Sequence, residues 1–214
     1  CPYVHINGKS YLSFCSNNYL GLANHPKIKQ AAIEAIHRYG WGAGASRLVS
    51  GTMTLHRELE KKIAEFKGTD AALLFPTGYM ANLGALGALV SKGDIVIGDK
   101  LNHASIIDGC RQSGATFRIY PHKDVRQLES LLQRSSGYRR KLIVTDSVFS
   151  MDGDTAPLTE IAGIAKKYDA ILMVDDAHPT GVFGNQGKGL IEHCGLEGKI
   201  DVVMGSLSKA VGST

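Results

Sequence analysis

Short apolar segments alternate with helical patterns along most of the chain, and this alternation limits the possible fold more than any other feature of the sequence. The apolar segments are rich in β-branched residues and lack polar alternation, which is typical of strands buried on both faces. They occupy residues 71–75, 95–98, 117–120, 142–145, 171–174 and 202–204. Helical patterns between them include residues 80–90, 125–133 and 158–167. The sequence therefore predicts an α/β fold with a mostly parallel sheet and helices on both faces.

The N-terminal region follows a different pattern. Two short segments flank Asn7-Gly8, a dipeptide that is typical of a tight hairpin turn. Apolar residues then recur at helical spacing over residues 26–38, and a second helix is predicted from Thr54, as its N-cap, to Phe66. We interpret residues 1–40 as an N-terminal hairpin and helix segment, and residues 41–214 as one larger domain.

Composition excludes several classes of function. The formal net charge is +4, and the lysines and arginines are dispersed, so no nucleic-acid partner is expected. No apolar run approaches the roughly 20 residues that cross a membrane. The 4 cysteines are scattered, with no CxxC pair and no clustered histidines, so no metal site is expected. The sequence has no secretory signal pattern, and a cytoplasmic location with reduced thiols is the expectation.

The residues that follow the predicted strands are polar, titratable or small. In open α/β sheets, ligands bind outside the carboxyl ends of the strands, so these positions should meet at one edge. They are Thr77-Gly78-Tyr79, Asn102-His103, residues 147–150, residues 175–178 and residues 206–209. This edge is the predicted functional site.

Lys209 lies among small residues directly after the last predicted strand. Most lysines are solvated surface charges, but a lysine at a sheet edge can lose its proton and form a Schiff base with an aldehyde cofactor. Pyridoxal phosphate requires such a lysine, an acidic partner for its ring nitrogen and a cradle for its phosphate. The position of Lys209 therefore indicates this cofactor.

Asp175 and His178 are candidates for two further contacts with the cofactor. Asp175 stands at the tip of a predicted central strand, where it could face the ring nitrogen, although a strand-end cap or a metal ligand would fit the same position. His178 could donate to the phenolic oxygen, whereas a purely structural histidine is the alternative.

The remaining candidates surround the phosphate and the ring. Gly78 lets the backbone approach closely before a helix whose free N–H groups attract anions, although a glycine there is often only a turn residue. Ser206 could add a hydroxyl donor to the same phosphate. His103 could lie flat against the ring, or Asn102-His103 could cap the next helix.

Seven ordered segments make the chain resemble the α-oxoamine synthases, a family of pyridoxal-phosphate enzymes. The resemblance covers nearly all of the chain. The matching segments are residues 16–22, 42–47, 56–60, 102–105, 148–154, 174–178 and 208–209, which include Ser-Asn-Asn-Tyr-Leu-Gly-Leu and Val-Phe-Ser-Met-Asp-Gly-Asp.

The resemblance implies a fold and a set of roles. The fold is the large domain of the aspartate-aminotransferase-like fold type I, and the small C-terminal domain is expected to be missing, since we interpret the chain, from Cys1 to Thr214, as a fragment. A homodimer is implied. By position, the implied roles are a Schiff base at Lys209, a ring-nitrogen partner at Asp175, a phenolic-oxygen contact at His178, ring stacking by His103, a hydroxyl from Ser150, phosphate contacts from Gly78, Tyr79 and Ser206, and proximity to the amino-acid substrate for Asn17.

The family joins an amino acid to an acyl-CoA with loss of carbon dioxide, and two segments suggest different members. Residues 75–82 are most similar to the biotin-pathway member, which uses alanine and a pimeloyl thioester carried by CoA or acyl carrier protein. Residues 102–109 are also similar to a ligase that uses glycine and acetyl-CoA. The biotin-pathway reaction is the prediction, because residues 75–82 surround the phosphate cradle.

Other classes of protein share part of these motifs. Residues 174–178 resemble the magnesium-binding strand end of helicase-type NTPases, but Gly187-Lys188-Gly189 lacks the first glycine and the Ser or Thr of a phosphate loop. Aminotransferases also carry Ser-x-Ser-Lys, but they typically present a tyrosine where this chain has His178. A catalytically silent partner subunit would lack Lys209.

Overall fold

The computed structural model describes residues 3–213. Its strands are β1 (Tyr3–Ile6), β2 (Lys9–Leu12), β3 (Ile95–Asp99), β4 (Thr116–Tyr120), β5 (Lys141–Asp146), β6 (Ile171–Asp175) and β7 (Val202–Met204). Its α-helices are α1 (Pro26–Tyr39), α2 (Thr54–Lys67), α3 (Gly78–Leu89), α4 (Ala104–Gln112), α5 (Val125–Gln133), α6 (Leu158–Lys167) and α7 (Leu190–His193), and a 3-10 helix spans Leu22–Asn24. Among the described residues, no helix is both long enough and apolar enough to cross a bilayer.

Five strands form one sheet in the order β4-β3-β5-β6-β7. All four neighbouring pairs are parallel, so every strand ends at the same edge. The chain leaves β3 toward β4 on one side and returns through β5 on the other, which creates a topological switch point between β3 and β5. The predicted α/β fold with a parallel sheet is confirmed.

The sheet separates two apolar cores, because successive residues of a strand point to opposite faces. On one face, Ile97 and Ile143 pack with residues of α5 and α6. On the other face, Val96 and Val144 pack with residues of α3 and α4. All four side chains are fully buried, which explains why the strands read as continuous apolar runs.

A buried ion pair joins the end of α2 to the end of β6. Lys67 Nζ donates to Asp176 Oδ2 at 3.0 Å, to Thr180 Oγ1 at 2.6 Å and to the carbonyl of Lys188 at 2.5 Å. Burial raises the pKa of the Asp176 carboxyl, while the Lys67 ammonium opposes this shift. The backbone N–H of Asp176 donates to the Met204 carbonyl at 2.8 Å, so the same residue also holds β7. This network fixes the strand end next to Asp175.

The N-terminal segment contributes little to the cores. β1 and β2 form the antiparallel hairpin predicted around Asn7-Gly8, but no residue from 3 to 50 is buried. Three apolar side chains that follow α1 are also largely exposed: Trp41 at 91%, Leu48 at 98% and Val49 at 83%. The boundary at residue 40 stays a prediction.

The sequence prediction was wrong for residues 71–75, which belong to neither sheet. Side chains, and not a neighbouring strand, bond the backbone of Leu74. Its N–H donates to Glu60 Oε1 at 2.9 Å, and Arg47 Nη1 donates to its carbonyl at 3.0 Å. Leu73 is 68% exposed, so the segment is not a buried strand although its residues are apolar. Thr54 is also the first residue of α2 and not its N-cap, which is Met53.

Candidate functional site

A pocket lies at the carboxyl edge of the five-stranded sheet. The segments after β3, β5, β6 and β7 line it together with the start of α3, so the predicted convergence is observed. Eight of the nine predicted site residues line this pocket: Gly78, Tyr79, His103, Ser150, Asp175, His178, Ser206 and Lys209.

The Asp175 carboxylate is the most firmly held group in the pocket. Asp175 is the last residue of β6 and is 5% exposed. Its Oδ2 accepts from Asn82 Nδ2 at 2.8 Å, and its Oδ1 accepts from the backbone N–H of Ala177 at 3.1 Å. A carboxylate held in this way is a fixed anionic acceptor for a cationic N–H group.

Lys209 faces the pocket from the turn after β7. It is half-buried, and its amine has no hydrogen-bond or ion-pair partner within residues 3–213. Other lysines of the chain differ, since Lys67, Lys123, Lys167 and Lys188 each pair with a carboxylate. The Lys209 amine is therefore available to react.

Tyr19 links His178 to Asn17 at the rim of the pocket. The Tyr19 hydroxyl lies 2.8 Å from His178 Nδ1 and 3.3 Å from Asn17 Oδ1. Its single hydrogen serves the shorter contact, which leaves the proton of a neutral His178 ring on Nε2. Asn17 is exposed and does not line the pocket, so it reaches the site only through Tyr19. Burial, helped by the charge of Lys209, lowers the pKa of His178 below its ordinary value. His178 is thus a neutral imidazole at neutral pH.

The start of α3 presents free backbone donors to the pocket. Thr77 is the N-cap, and its Oγ1 accepts from the Met80 N–H at 3.1 Å. The N–H groups of Gly78 and Tyr79 precede Met80 and have no partner within the helix. A Cβ at Gly78 would approach Met204 Cε to 2.9 Å, so a side chain there would displace Met204. These donors can bind an anion.

His103 is fixed both at its backbone and at its ring. Its N–H donates to Asp146 Oδ2 at 2.7 Å. Its Nδ1 lies 2.7 Å from Ser105 Oγ and accepts from the Ser105 N–H at 3.2 Å. His103 is also the N-cap of α4, so the two alternatives, ring contact and cap, are compatible.

Ser150 lies on the loop after β5, and a short network steadies this loop. Asp154 Oδ2 accepts from His122 Nε2 at 3.0 Å and from Lys123 Nζ at 2.9 Å, while His122 Nδ1 bonds Asp99 Oδ1 at 3.0 Å. His122, Asp152 and Asp154 also offer ligand atoms within 4.8 Å of one another, a grouping that the sequence analysis did not single out. Asp154 is already paired, so the network ties the loop to the ends of β3 and β4.

Sequence reasoning missed four residues of the site: Tyr19, Asn82, Ser105 and Asp146. Asp146 could have been found, because it follows an apolar strand as Asp175 does. Strand register places the two opposite each other on β5 and β6. Asn82 and Ser105 lie inside helices, where nothing in the sequence marks them as site residues.

Asp146 is a second carboxyl group in the same pocket. It is 6% exposed, and burial raises its pKa, with the charge of Asp175 adding to the shift. Two ionised carboxylates side by side would repel each other. Asp146 therefore holds a proton more readily than an ordinary aspartate.

The pocket fits pyridoxal phosphate on three chemical criteria. The Lys209 amine can react with the aldehyde, and the Asp175 carboxylate can accept from the protonated ring nitrogen. The free N–H groups at the start of α3 and the Ser206 hydroxyl can bind the phosphate. Each group of this set lines the same pocket.

Comparison with known proteins points to one family. A family model described as aminotransferase class I and II matches residues 9–214. The 8-amino-7-oxononanoate synthase of Geobacter metallireducens is 57% identical over 208 residues, which cover 97% of this chain and 53% of that protein. The 8-amino-7-oxononanoate synthase 1 of Bacillus subtilis is 51% identical over 211 residues, which cover 99% of this chain and 54% of that protein.

A solved structure gives the same result at the level of the backbone. The serine palmitoyltransferase from S. paucimobilis, with a bound PLP–myriocin aldimine, is 42% identical with a TM-score of 0.96. The match covers 100% of this chain and 54% of that one. The chain thus spans about half the length of the proteins it matches.

Replacing Asp146 with asparagine should stabilise the cofactor-free, full-length protein in a pH-dependent manner. In the folded protein the pKa of Asp146 is raised above the unfolded value of about 3.9, so wild-type stability falls as pH rises from the unfolded pKa toward the folded one. Asparagine is neutral at every pH, so the variant does not lose stability in this way. Its free energy of unfolding should exceed the wild-type value by on the order of 2–4 kcal/mol at neutral pH, and the difference should vanish near pH 4. Chemical denaturation across this pH range measures it.

Asp94 provides a control with the opposite sign. The Arg139 guanidinium lowers the pKa of the Asp94 carboxyl to about 2. Asp94→Asn should therefore destabilise the protein at neutral pH, and its effect should shrink as pH falls through the folded pKa. Equal pH profiles for the two variants would contradict the assignment of Asp146.

Proposed function

The chain belongs to the aminotransferase class I and II family, and from this premise we propose that it is the cofactor-binding part of a pyridoxal-phosphate-dependent acyltransferase. One observation carries the proposal: Asp175, the unpaired amine of Lys209 and the free start of α3 line a single pocket. The identity of 51–57% to proteins named 8-amino-7-oxononanoate synthase supports an acyltransferase of that kind.

We assign the cofactor contacts as follows. Lys209 binds the aldehyde carbon, Asp175 pairs with the ring nitrogen and His178 donates to the phenolic oxygen. His103 lies against the ring. The phosphate binds to the backbone N–H groups of Gly78 and Tyr79 at the start of α3 and to the Ser206 hydroxyl. Ser150 contributes a further hydroxyl near the cofactor.

The bound cofactor supplies an electron sink for the negative charge that develops at the substrate Cα. The chain's own residues prepare that step. Asp175 keeps a positive charge on the ring nitrogen. Its two oxygens accept from uncharged groups, Asn82 Nδ2 and the Ala177 N–H, so its negative charge is left for the ring nitrogen. As a free amine, Lys209 would be the base that takes the Cα proton and later returns it. Neutral His178 donates a hydrogen bond without adding a second positive charge.

The proposed reaction joins the Cα of L-alanine to the acyl carbon of pimeloyl-CoA or pimeloyl-acyl carrier protein. A carbon–carbon bond forms, the thioester bond breaks with release of the thiol, and the carboxylate leaves as carbon dioxide. The product is 8-amino-7-oxononanoate, an intermediate of biotin synthesis. Asn17 is assigned to the substrate side of the pocket, where Tyr19 connects it to His178.

A second candidate function is the condensation of glycine with acetyl-CoA. The similarity of residues 102–109 to the glycine-using ligase favours it. Those residues mainly position His103, whose role is the same in either reaction. We therefore rank the alanine reaction first.

We also propose that the full-length protein is a cytoplasmic homodimer. Trp41, Leu48 and Val49 are more than four-fifths exposed, and a second copy would cover this apolar surface. Arg47 and the glycine-rich stretch before it would then lie near the partner's pocket. Light scattering should give the dimer mass, and a fully active monomer would contradict the dimer.

The thiols bear on the proposed location. Within the described part of the chain, Cys15, Cys110 and Cys194 are free thiols, as fits a reducing compartment.

Lys209→Ala should abolish covalent attachment of the cofactor to the full-length protein. Among residues 3–213, Lys209 is the only lysine that lines the pocket, so borohydride reduction should leave no pyridoxyl label on the variant. Noncovalent binding through the phosphate contacts should persist. Peptide mass mapping measures the label. Lys100→Ala removes an exposed lysine just after β3 and should leave the label on Lys209 unchanged; a label on any other lysine would overturn the assignment.

The full-length enzyme should turn over alanine with a pimeloyl thioester faster than glycine with acetyl-CoA. Because one methyl group usually discriminates by only about 1–3 kcal/mol, glycine should still bind. Carbon dioxide release from each pair measures the preference. Faster turnover of the glycine pair would select the second candidate and leave the cofactor assignment intact.

A further inference from the structure

Asn82 is a fully buried amide that contacts two groups of the pocket without lining the pocket itself. It lies on α3, one turn after Gly78, and is 0% exposed. Its Nδ2 donates to Asp175 Oδ2 at 2.8 Å and to Ser105 Oγ at 2.9 Å. Both hydrogens of the amide are therefore used, one on each partner.

The orientation of this amide leaves its oxygen unsatisfied. Asn82 Oδ1 is buried and has no hydrogen-bond partner among the described residues. Rotating the amide would place this oxygen against the Asp175 carboxylate, where two acceptors would repel each other. A buried acceptor without a partner costs free energy, so the two hydrogen bonds from Nδ2 to Asp175 and Ser105 set this orientation of the amide.

Ser105 transmits the contact to His103. Because Asn82 Nδ2 donates to Ser105 Oγ, the Ser105 hydroxyl hydrogen is free to donate to His103 Nδ1, which lies 2.7 Å away. The Ser105 backbone N–H points to the same nitrogen. His103 Nδ1 is then an acceptor, and the neutral ring carries its proton on Nε2.

We infer that Asn82 is a positioning residue that holds the Asp175 carboxylate and, through Ser105, the His103 ring in one fixed arrangement. The inference rests on the proposed function, because Asp175 and His103 are assigned there to the ring nitrogen and the ring face. It adds a residue that touches neither the cofactor nor the substrate in those assignments.

No other described residue can replace Asn82 in this role. Asp175 Oδ1 has the Ala177 N–H, but Asn82 is the only hydrogen-bond donor to Oδ2 within residues 3–213. Without it, the buried carboxylate becomes more basic and draws the proton of the ring nitrogen toward itself. The ring nitrogen would then carry less positive charge.

The test measures two nitrogen resonances in the full-length protein loaded with pyridoxal phosphate. ¹⁵N in the cofactor ring reports its protonation, and ¹⁵N in the histidines reports the hydrogen bonding of His103 Nδ1, assigned with His103→Gln. Asn82→Ala should move the ring resonance toward the unprotonated position and also shift His103 Nδ1. Ser105→Ala should shift His103 Nδ1 alone, because Asn82 still donates to Asp175.

Ser135→Ala is the matched control. Ser135 is a buried serine whose hydroxyl donates to the Leu131 carbonyl at 2.6 Å, away from the pocket, so neither resonance should move. If Asn82→Ala does not fold by circular dichroism, Asn82→Ser keeps one donor and should give a smaller shift of the ring resonance in the same direction.

The outcomes separate this inference from the function on which it rests. If the wild-type protein binds no cofactor at Lys209, the proposed function fails. If it binds the cofactor but the Asn82 variants leave both resonances at their wild-type positions, the positioning role is overturned and the function stands. A ring shift in the Asn82 variants that is absent in Ser105→Ala supports the role.

Discussion

The parallel direction of the five strands is the constraint on which the rest of the structure depends. In a parallel sheet every strand ends at the same edge, so residues that are far apart in the sequence meet there. His103, Asp146, Asp175 and Lys209 follow or end four different strands and yet line one pocket. The strands can place them there because their own residues alternate between two apolar cores, which fixes each strand in register.

Polar groups gathered at a buried edge must be satisfied, and the chain does so with partners from distant elements. Asp175 and Asp176 are neighbours with opposite tasks. Asp176 points into the protein and pairs with Lys67 of α2, whereas Asp175 lines the pocket and is held by Asn82 of α3. The first contact secures the end of β6, and the second leaves a carboxylate ready to receive a cationic ring.

Much of the fold could be predicted from the sequence, because buried parallel strands leave a local signature of apolar, β-branched residues. The same rule located Asp175, which ends such a strand, and Lys209, which lies in the turn after another. Residues 71–75 are apolar but contain no β-branched residue, and they form no strand; Arg47 and Glu60 bond the Leu74 backbone instead. Asn82 could not be found, since its importance depends on Asp175, which lies 93 positions away in the sequence. Contacts of this kind exist only after folding.

The order of the strands also sets the order in which the pocket can be completed during synthesis. Among residues 3–213, β7 is the strand that comes latest in the sequence, and it pairs with β6 on the opposite side of the sheet from β4. As the chain emerges from the ribosome, α3, β3, β5 and β6 are available before the turn that carries Lys209. The other walls of the pocket can therefore form before Lys209 joins them.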